Sequence, residues 1–475
     1  MLTYQDFLEV GEDPQKRMDF VKRAVMDHRA SIPFQIARDA ELYYKQQNVT
    51  IMKFRKMLYQ IDGVQIPDNY SANYKLCSNF FDRLTTQRNQ HLLGNGVTFS
   101  KQDTKNKLGK FFDQMMVKLG HEAQKGGVSF GFWNYDHLEV FGLTEFVPFY
   151  DEENGALMAG IRFWQVSDTK PMRATLYEVD GMTDYIWTKD EPNGRIMDFN
   201  GNTKRSYMTE TTGTPVDQDF IYKGQNYEKF PIIPLFNVKD QSDLVGMRQQ
   251  IDCYDFIESG FANNASEANL LWTITNAMGM DEFDMVKFRD QVKRVNAALI
   301  DRDGVNVEAH PIEAPYGARE ALLTRLRNDM YEDYMSLDTH DISAGATTAT
   351  QIEASYEPLN SKTDDYETKV TTFILHLLDF LHIDDAPTYS RSRIVNRAEE
   401  IQVILQASQF LPEQYITKKV LTILGDADEY DVVKKMMIVD ERERMRIEKI
   451  MTEDEKGEGD EVNDSTGQLT EEEEE

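Results

Sequence analysis

Few residues in the chain have types and spacing suited to chemistry. His376 and His382, beside Asp384 and Asp385, offer the imidazole and carboxylate groups that hold divalent metals. Their spacing works against that role. Six residues apart, the two histidines fall on different faces of a helix, and no HExxH motif is present. The glycines of "LLGNGV" and "QKGGVSFG" read as turns, not as the GxGxxG that opens a dinucleotide-binding helix. No GxxxxGK followed by Ser or Thr occurs, which excludes a P-loop ATPase. No Ser-His-Asp spacing stands out. The expectation is a chain with no catalytic residue, no metal ligand and no cofactor.

Charge narrows the field further. The net charge is −30, and residues 451–475 carry twelve acids and one lysine of it. Affinity for nucleic acid comes from Lys and Arg displacing counterions, so a tight nucleic-acid binder is not expected. Solubility explains the acidity, and so does a surface past which DNA slides without sticking. Cys77 and Cys253 lie far apart in patterns read as helical, which argues against a disulfide framework and for folding in a reducing cytoplasm. The N-terminus has no basic-then-apolar signal pattern. The most apolar window, "FILHLLDFLHI", is too short to span a bilayer, so a soluble protein with no membrane partner is expected.

The length of 475 residues allows about three domains or one large elongated subunit. Residues 1 to about 140 read as mostly helical. In "YKLCSNFFDRLTTQRNQHLLGNGVTF", Leu76, Phe80, Leu84 and Leu92 form one row and Gly94 stops it. "KLGKFFDQMMVKLGHEAQKGG" is a further amphipathic helix ended by Gly126 and Gly127. From 128 to 236 the pattern becomes aromatic and β-branched, punctuated by the hairpin signals "EENG", "VDG" and "EPNG". Phe130, Phe132, Trp133 and Tyr135 read as core.

A long helix begins at Ser242, with Asp240 or Ser242 as cap. Its apolar row is Leu244, Met247, Ile251, Tyr254, Ile257 and Phe261, and Asp243, Asp252, Asp255 and Glu258 line another face. A second helix runs from Gly317 to Leu337. Between them, "LLWTIT" reads as a strand, "DEFDMVKFRDQVKRV" as a helix, and "NAALID", "RDG", "VNVEAHPI" as a hairpin. If the two helices pack antiparallel, this insert sits at their far tip. The stretch "DTHDISAGATTAT" follows, slim and flexible, and a linker or a functional loop both fit it. "QIEASYEPLNSKTDDYETKVTTFILHLLDFLHI" returns to helical spacing, with Pro358 kinking it near its start. Residues 391–450 are helical again, and an acidic tail at 451–475 reads as disordered.

In this order the parts resemble the portal proteins of tailed double-stranded DNA phages, of the siphophage type. "AELYYKQQNVTI" and "FFDRLTTQRNQHLLGNGVTF" look like the N-terminal signature of that family. "EFVPFYDEENGALMAGIRFWQV" looks like its wing hairpins, "SAGATTATQIEASYEPLNSKTDDYE" like its tunnel loop and kinked helix, and "LPEQYITKKVLTILGDADEYDVVKKM" like the approach to its crown. The resemblance implies an α+β, mostly helical, elongated subunit. Residues 1–239 would be a wing, helical at first and β-rich over 128–236. Residues 240–268 and 316–337 would be a two-helix stem, 269–315 a small α/β clip and 338–350 a tunnel loop. Residues 351–398 would be a kinked wing helix, 399–450 a helical crown and 451–475 the disordered tail.

The same resemblance implies a closed ring, usually of twelve subunits, at one capsid vertex, assembled in the host cytoplasm. Double-stranded DNA would pass through it non-specifically during packaging and ejection. The clip would dock the terminase large subunit and later the head-tail adaptor, and major capsid and scaffold proteins would be further partners. Ser343, Ala344, Gly345, Ala346, Thr347 and Thr348 would face the channel, since identical loops meeting on one axis need small side chains. The acidic face of the first stem helix would repel phosphates in the lumen, or else is a plain solvated face. Trp272, Phe283, Phe288 and Arg289 are the candidate clip contacts, because aromatics and Arg on a tip tend to bind partners, and packing of the insert accounts for the aromatics as well. Two other classes stay open: an enzyme of unknown chemistry with 128–236 as a substrate domain, and an acidic capsid scaffold.

Overall fold

The computed structural model describes the chain apart from residues 1, 60–63, 189–193, 198–202, 213–220, 267–269, 276–280, 296–305, 312–315, 340–348, 393–396, 425–428 and 462–475. It divides into two compact units, residues 1–345 with 354–393, and residues 346–353 with 394–475. The class is α+β with more helix than strand, as expected.

The first unit opens with helices whose starts the sequence writes out. Thr3 and Asp6 form a capping box for α1 (Tyr4–Val10). Asp13 caps α2 (Pro14–Ala30), which carries Pro in its first turn, and Ser31 caps α3 (Ile32–Tyr44). The helical reading of "AELYYKQQNVTI" holds only in part. Gln46 takes φ 56° and splits it into α3 and the short α4 (Val49–Lys53). Beyond α4, β1 (Met57–Tyr59) pairs with β2 (Gln65–Pro67), inside the stretch read as mostly helical. Next come α5 (Phe80–Leu93), β3 (Val97–Phe99), α6 (Gln102–Lys107) and α7 (Phe112–Gly126).

Two antiparallel sheets follow. β4 (Val128–Asn134), β5 (His137–Gly142) and β14 (Ile232–Phe236) form one, in the order β14-β4-β5, with Pro234 on its edge strand. β6 (Phe146–Tyr150), β7 (Leu157–Trp164), β8 (Met172–Glu178) and β9 (Gly181–Trp187) form a meander. β10 (Arg195–Ile196) and β11 (Lys204–Arg205) both pair with β9. β12 (Met208–Thr212) pairs with β13 (Ile221–Gln225). "EENG" and "VDG" turn where expected, with Gly155 and Gly181 at positive φ. Most of "EPNG" lies outside the described residues.

Alternation along the strands sorts the side chains into layers. Phe130, Phe132, Phe141, Phe146 and Tyr177 pack between the two sheets. Val147, Phe149, Ile161 and Leu176 face α1 and α2. Trp133, Leu138, Val140 and Leu235 face α7 and a later helix. Tyr135 was expected in the core and is not there. It is 69% exposed at the β4–β5 turn, with φ 59°.

The long helix pair is present. α8 (Leu244–Ser266) starts on Ser242, whose Oγ accepts from the Leu244 N–H at 3.2 Å. Its 23 residues make a rod of about 35 Å. α10 (Tyr316–Asp333) returns antiparallel: the Phe261 and Tyr316 rings meet edge to face at 5.2 Å, and Met330 and Tyr331 share a core with Leu244, Met247 and Ile251. α10 ends at Asp333, before the expected Leu337, and Met335 takes φ 56° to turn the chain away. Leu322 is exposed on α10, and the buried residues of that helix are Met330 and Tyr331 near its end.

In the insert, β15 (Leu270–Thr275) pairs antiparallel with β16 (Asn306–Pro311), beside α9 (Glu282–Val295). "VNVEAHPI" thus finds its partner in "LLWTIT", while "NAALID" lies outside the described residues. The helical spacing after the small-residue loop becomes α11 (Ala349–Ser355) and α12 (Glu357–Phe380), with Pro358 in the first turn of α12. β17 (Pro387–Tyr389) pairs with β3. Leu76 belongs to no helix, so the α5 row begins at Phe80.

The second unit holds α13 (Arg397–Gln406), α14 (Glu413–Leu424) and α15 (Tyr430–Glu461). α15 continues past residue 451, where a disordered tail was expected to start, and through Gly457 and Gly459 to Glu461.

Among the described residues no helix is long and apolar enough to cross a membrane. One glycine carries the joint between layers. Gly127 caps α7 at φ 85°, and a Cβ there would stand 2.8 Å from the Gln241 backbone. Gly127→Ala should therefore cost about 1–3 kcal/mol, read as a lowered urea midpoint with an unchanged m value.

Candidate functional site

Leu337 and Tyr356 flank the small-residue stretch, and α5 holds both. Its buried positions lie on several sides: Phe81, Leu84, Thr85, Arg88, Asn89, His91 and Leu92. Gln87 acts on the outgoing chain like a neighbouring strand. Its Oε1 accepts from the Leu337 N–H at 3.0 Å, its Nε2 donates to the Leu337 carbonyl at 2.9 Å, and the Ser336 hydroxyl donates to the same Oε1. Arg327 adds a two-oxygen grip on Asp338 at 2.7 and 2.9 Å. One turn along α5, His91 stacks on Tyr356 at 5.7 Å and bridges the Ser392 carbonyl and the Asn360 side chain. The two ends of the small-residue loop are thus fastened four residues apart on one helix.

Beneath them lies a buried polar junction. Arg88 is fully buried; its Nη2 donates to Asp243 at 2.6 Å and Asn237 at 2.9 Å. Tyr334, just past α10, donates to the same carboxylate at 2.7 Å. The guanidinium lies 4.8 Å from the Tyr366 ring centre on α12, and the Tyr366 hydroxyl donates to Asn89 at 3.0 Å. Gly120 of α7 makes room for that bond, since a Cβ there would stand 2.2 Å from both oxygens. Burial works against the charge on Arg88, and the Asp243 carboxylate outweighs it, so its pKa is raised. Burial also raises the Tyr334 and Tyr366 hydroxyls, which stay protonated donors.

Lys362 of α12 closes the junction. Its Nζ donates to the Tyr334 carbonyl at 2.6 Å and lies 3.1 Å from the Tyr334 ring centre. Burial pushes its pKa down to about 7, against the pull of Asp243, with Arg88 and Lys239 adding to the fall. A cavity of about 140 Å³ lies alongside, lined by Arg88, Asp243, Tyr334, Lys362 and residues at the α8 start. This is the chemistry of a clamp. Arg88 and Asp243 pair, Lys362 is held by a carbonyl and a ring, and these groups join α5, the α8 start, the α10 end and α12.

Three of the four acids on the acidic face of α8 are turned onto partners within the chain. Asp243 holds Arg88. Asp252 accepts from Tyr43 and from Thr50 at 2.7 Å, and Asp255 is fully buried, accepting from Asn48 and from the Ser78 N–H at 2.8 Å. Glu258 is partly buried, and burial raises its pKa.

With this geometry, the chain can be compared with known proteins. Residues 144–454 match the model of the family described as phage portal protein, SPP1 Gp6-like. The chain belongs to that portal family. It is 24% identical over 386 residues to the portal protein of Clostridium phage phiCD119, across 73% of this chain and 81% of that one. It is 22% identical over 399 residues to the portal protein of Bacillus phage SPP1, across 77% and 76%. Among solved structures, the neck of a native GTA particle computed with C12 symmetry is similar at 10% identity and a TM-score of 0.36, over 72% of this chain and 89% of that one. A portal chain is a component of the phage virion, a head-tail connector and not an enzyme.

The candidate channel residues Ser343 to Thr348 lie outside the described residues. Of the candidate clip contacts, Trp272 pairs in register with Ala309, and Phe283 stands 68% exposed at the start of α9. Phe288 is half-buried, and Arg289 donates to its neighbour Asp290 at 2.9 Å. Among the described residues no group of acids, histidines and cysteines could hold a metal. Asp385 instead accepts from the backbone at Ser100 and Lys101 and from Thr104, at the start of α6. Both cysteines are free; Cys77 lies outside any helix and Cys253 is exposed on α8. Gln87, Arg88, His91 and Lys362 were not singled out from the sequence. The available signal for the three on α5 was the polar run "QRNQH" at helix positions that continue the apolar row.

Gln87→Ala should speed amide exchange at Leu337 by at least tenfold while leaving the melting temperature nearly unchanged. Protection that stays as in the wild type would assign the hold on this end to Arg327 alone. Lys362 yields a pH dependence. The unfolded chain protonates it near the ordinary 10.5, the folded chain only near 7, so stability rises with pH between those values and the cost is full below them. Wild type should therefore gain on Lys362→Met from pH 7 to pH 10, measured by urea unfolding at each pH. A constant difference would mean that Lys362 titrates as an exposed lysine.

Proposed function

We propose that this portal chain forms a closed ring, of twelve subunits, at one capsid vertex, through which double-stranded DNA passes in packaging and ejection. The family match over 144–454 carries the proposal. The antiparallel pair α8 and α10 is the stem, the insert between them is the clip, and the sheets with α1–α7 are the wing. The second unit is the crown. The clip docks the terminase large subunit during packaging and the head-tail adaptor afterwards, with Trp272, Phe283, Phe288 and Arg289 as contact candidates. Phe283, exposed on α9, is the one best placed to meet a partner.

Residues 338–350 form the tunnel loop. Both of its flanks are tied to α5, by Gln87 on one side and His91 on the other, which gives the two ends a common anchor. Small side chains from Ser343 to Thr348 let copies of the loop crowd around one axis and touch DNA without strong bonds. The acids of α8 that hold Arg88, Tyr43 and Asn48 are turned into the subunit and are not presented on an outer face. Any acidic lumen is built from other residues.

The decisive measurement is particle mass with negative-stain images. Twelve chains of 55.0 kDa give about 660 kDa and a central hole, as head-to-tail closure requires. The double variant Gly345→Arg, Thr347→Arg should keep the ring and slow DNA packaging severalfold, because arginines in the loop would bind phosphate. Packaging at the wild-type rate would remove the loop from the DNA path.

A further inference from the structure

One face of the first unit is out of character with the rest of the chain. Phe54, just past α4, meets Phe256 of α8 edge to face at 5.1 Å, yet the two rings stay 37% and 53% exposed. Met52 beside them is 50% exposed. The rim is cationic. Lys53 and Arg55 are exposed on the same short segment, and the Lys75 ammonium donates to the Met52 carbonyl at 2.6 Å. Of the acids nearest along α8, Asp252 and Asp255 are turned inward onto Tyr43, Thr50, Asn48 and Ser78, and Glu258 is partly buried, which leaves the cations of the rim in excess. The result is an uncovered aromatic patch with a positive border on a chain of net charge −30.

We infer that this patch is the seat for a neighbouring copy of the same chain, and that it receives a different, acidic face of that copy. The deduction rests on the ring proposed above and specifies its interface. Aromatic groups at the centre of a face with charge at its rim are the usual anatomy of a protein contact. Two identical patches cannot meet across a twofold axis, because their lysine and arginine rims would repel. With 82 acids against 52 lysines and arginines, the chain has a surplus of acid outside this patch from which complementary charge can come. Pairing one positive patch with an unlike acidic face is a heterologous contact, and repetition of such a contact closes a ring.

The test compares wild type with Phe256→Glu and with the rim variant Lys53→Glu, Arg55→Glu, each as the full chain. Particle mass is read in low and high salt, melting temperature reports folding, and alkylation of Cys253, which is exposed on α8 near Phe256, reports covering of the face. Wild type should form the ring and protect Cys253 at least tenfold against alkylation, and higher salt should weaken assembly. Both variants should stay single folded chains with an open Cys253. If Phe256→Glu melts early, the rim variant decides, since both of its positions are exposed. Rings from wild type and both variants alike would overturn this interface and leave the ring standing. A two-chain wild-type particle broken by Phe256→Glu would mean patch-to-patch pairing and overturn the head-to-tail arrangement. A wild type that stays a single chain with an open Cys253 would overturn the ring and the seat together.

Discussion

The first unit depends on a buried charge. Taking a guanidinium out of water costs several kcal/mol unless a carboxylate and further acceptors meet it. Arg88 meets Asp243 and Asn237 on one side and the faces of Tyr334 and Tyr366 on the other. Those partners come from the turn before α8, the end of α10 and the middle of α12. A shift in any of these elements leaves a charge unpaired in the interior, so the requirement to satisfy Arg88 sets where the helix pair leaves the body. Replacing the network with apolar groups could hold the same elements together, but would not specify their angles as narrowly.

The same economy governs α8. Its apolar row packs on α5 and α10, and its acids on the adjoining side bind the segments at 43–50 and 78. The helix is therefore wrapped on two sides at its base and carries Cys253 and Phe256 outward on a third. Charge that reads as a solvated or lumen-facing stripe in one dimension becomes internal fastening in three. What remains on the outer side is apolar and bordered by cations, which is why that face differs from the rest of an acidic molecule.

Much of the architecture was legible beforehand. Gly127 after "QKG", "EENG" and "VDG" at hairpin turns, Ser242 before an apolar row and Pro358 at a helix start are local signals, and each one matched. The failures have physical causes. Leu76 continues the α5 row by spacing, but its N–H is taken by Ser259 of α8, and the segment is not helical. Tyr135 follows three buried aromatics, but a two-residue turn with positive φ carries it outside. α10 stops at Asp333 because Met335 takes a positive φ and turns the chain, and Gln87 then holds the backbone of Leu337. α15 outlasts the expected boundary at 451 because acidity alone does not end a helix.

By itself the sequence determined the class, the order of helices and strands, the insert between two long helices and the small-residue loop after them. These follow from periodicity, caps and turn residues, all of which act within a few positions of each other. The order of these parts was enough to indicate the portal family. Only the tertiary structure decided which polar residues do the holding. Gln87 and Leu337 are 250 residues apart, and Arg88 and Asp243 are 155 apart. No local pattern relates positions at such distances. Their pairing exists only once the chain has folded and burial has made an unpaired charge too costly to keep.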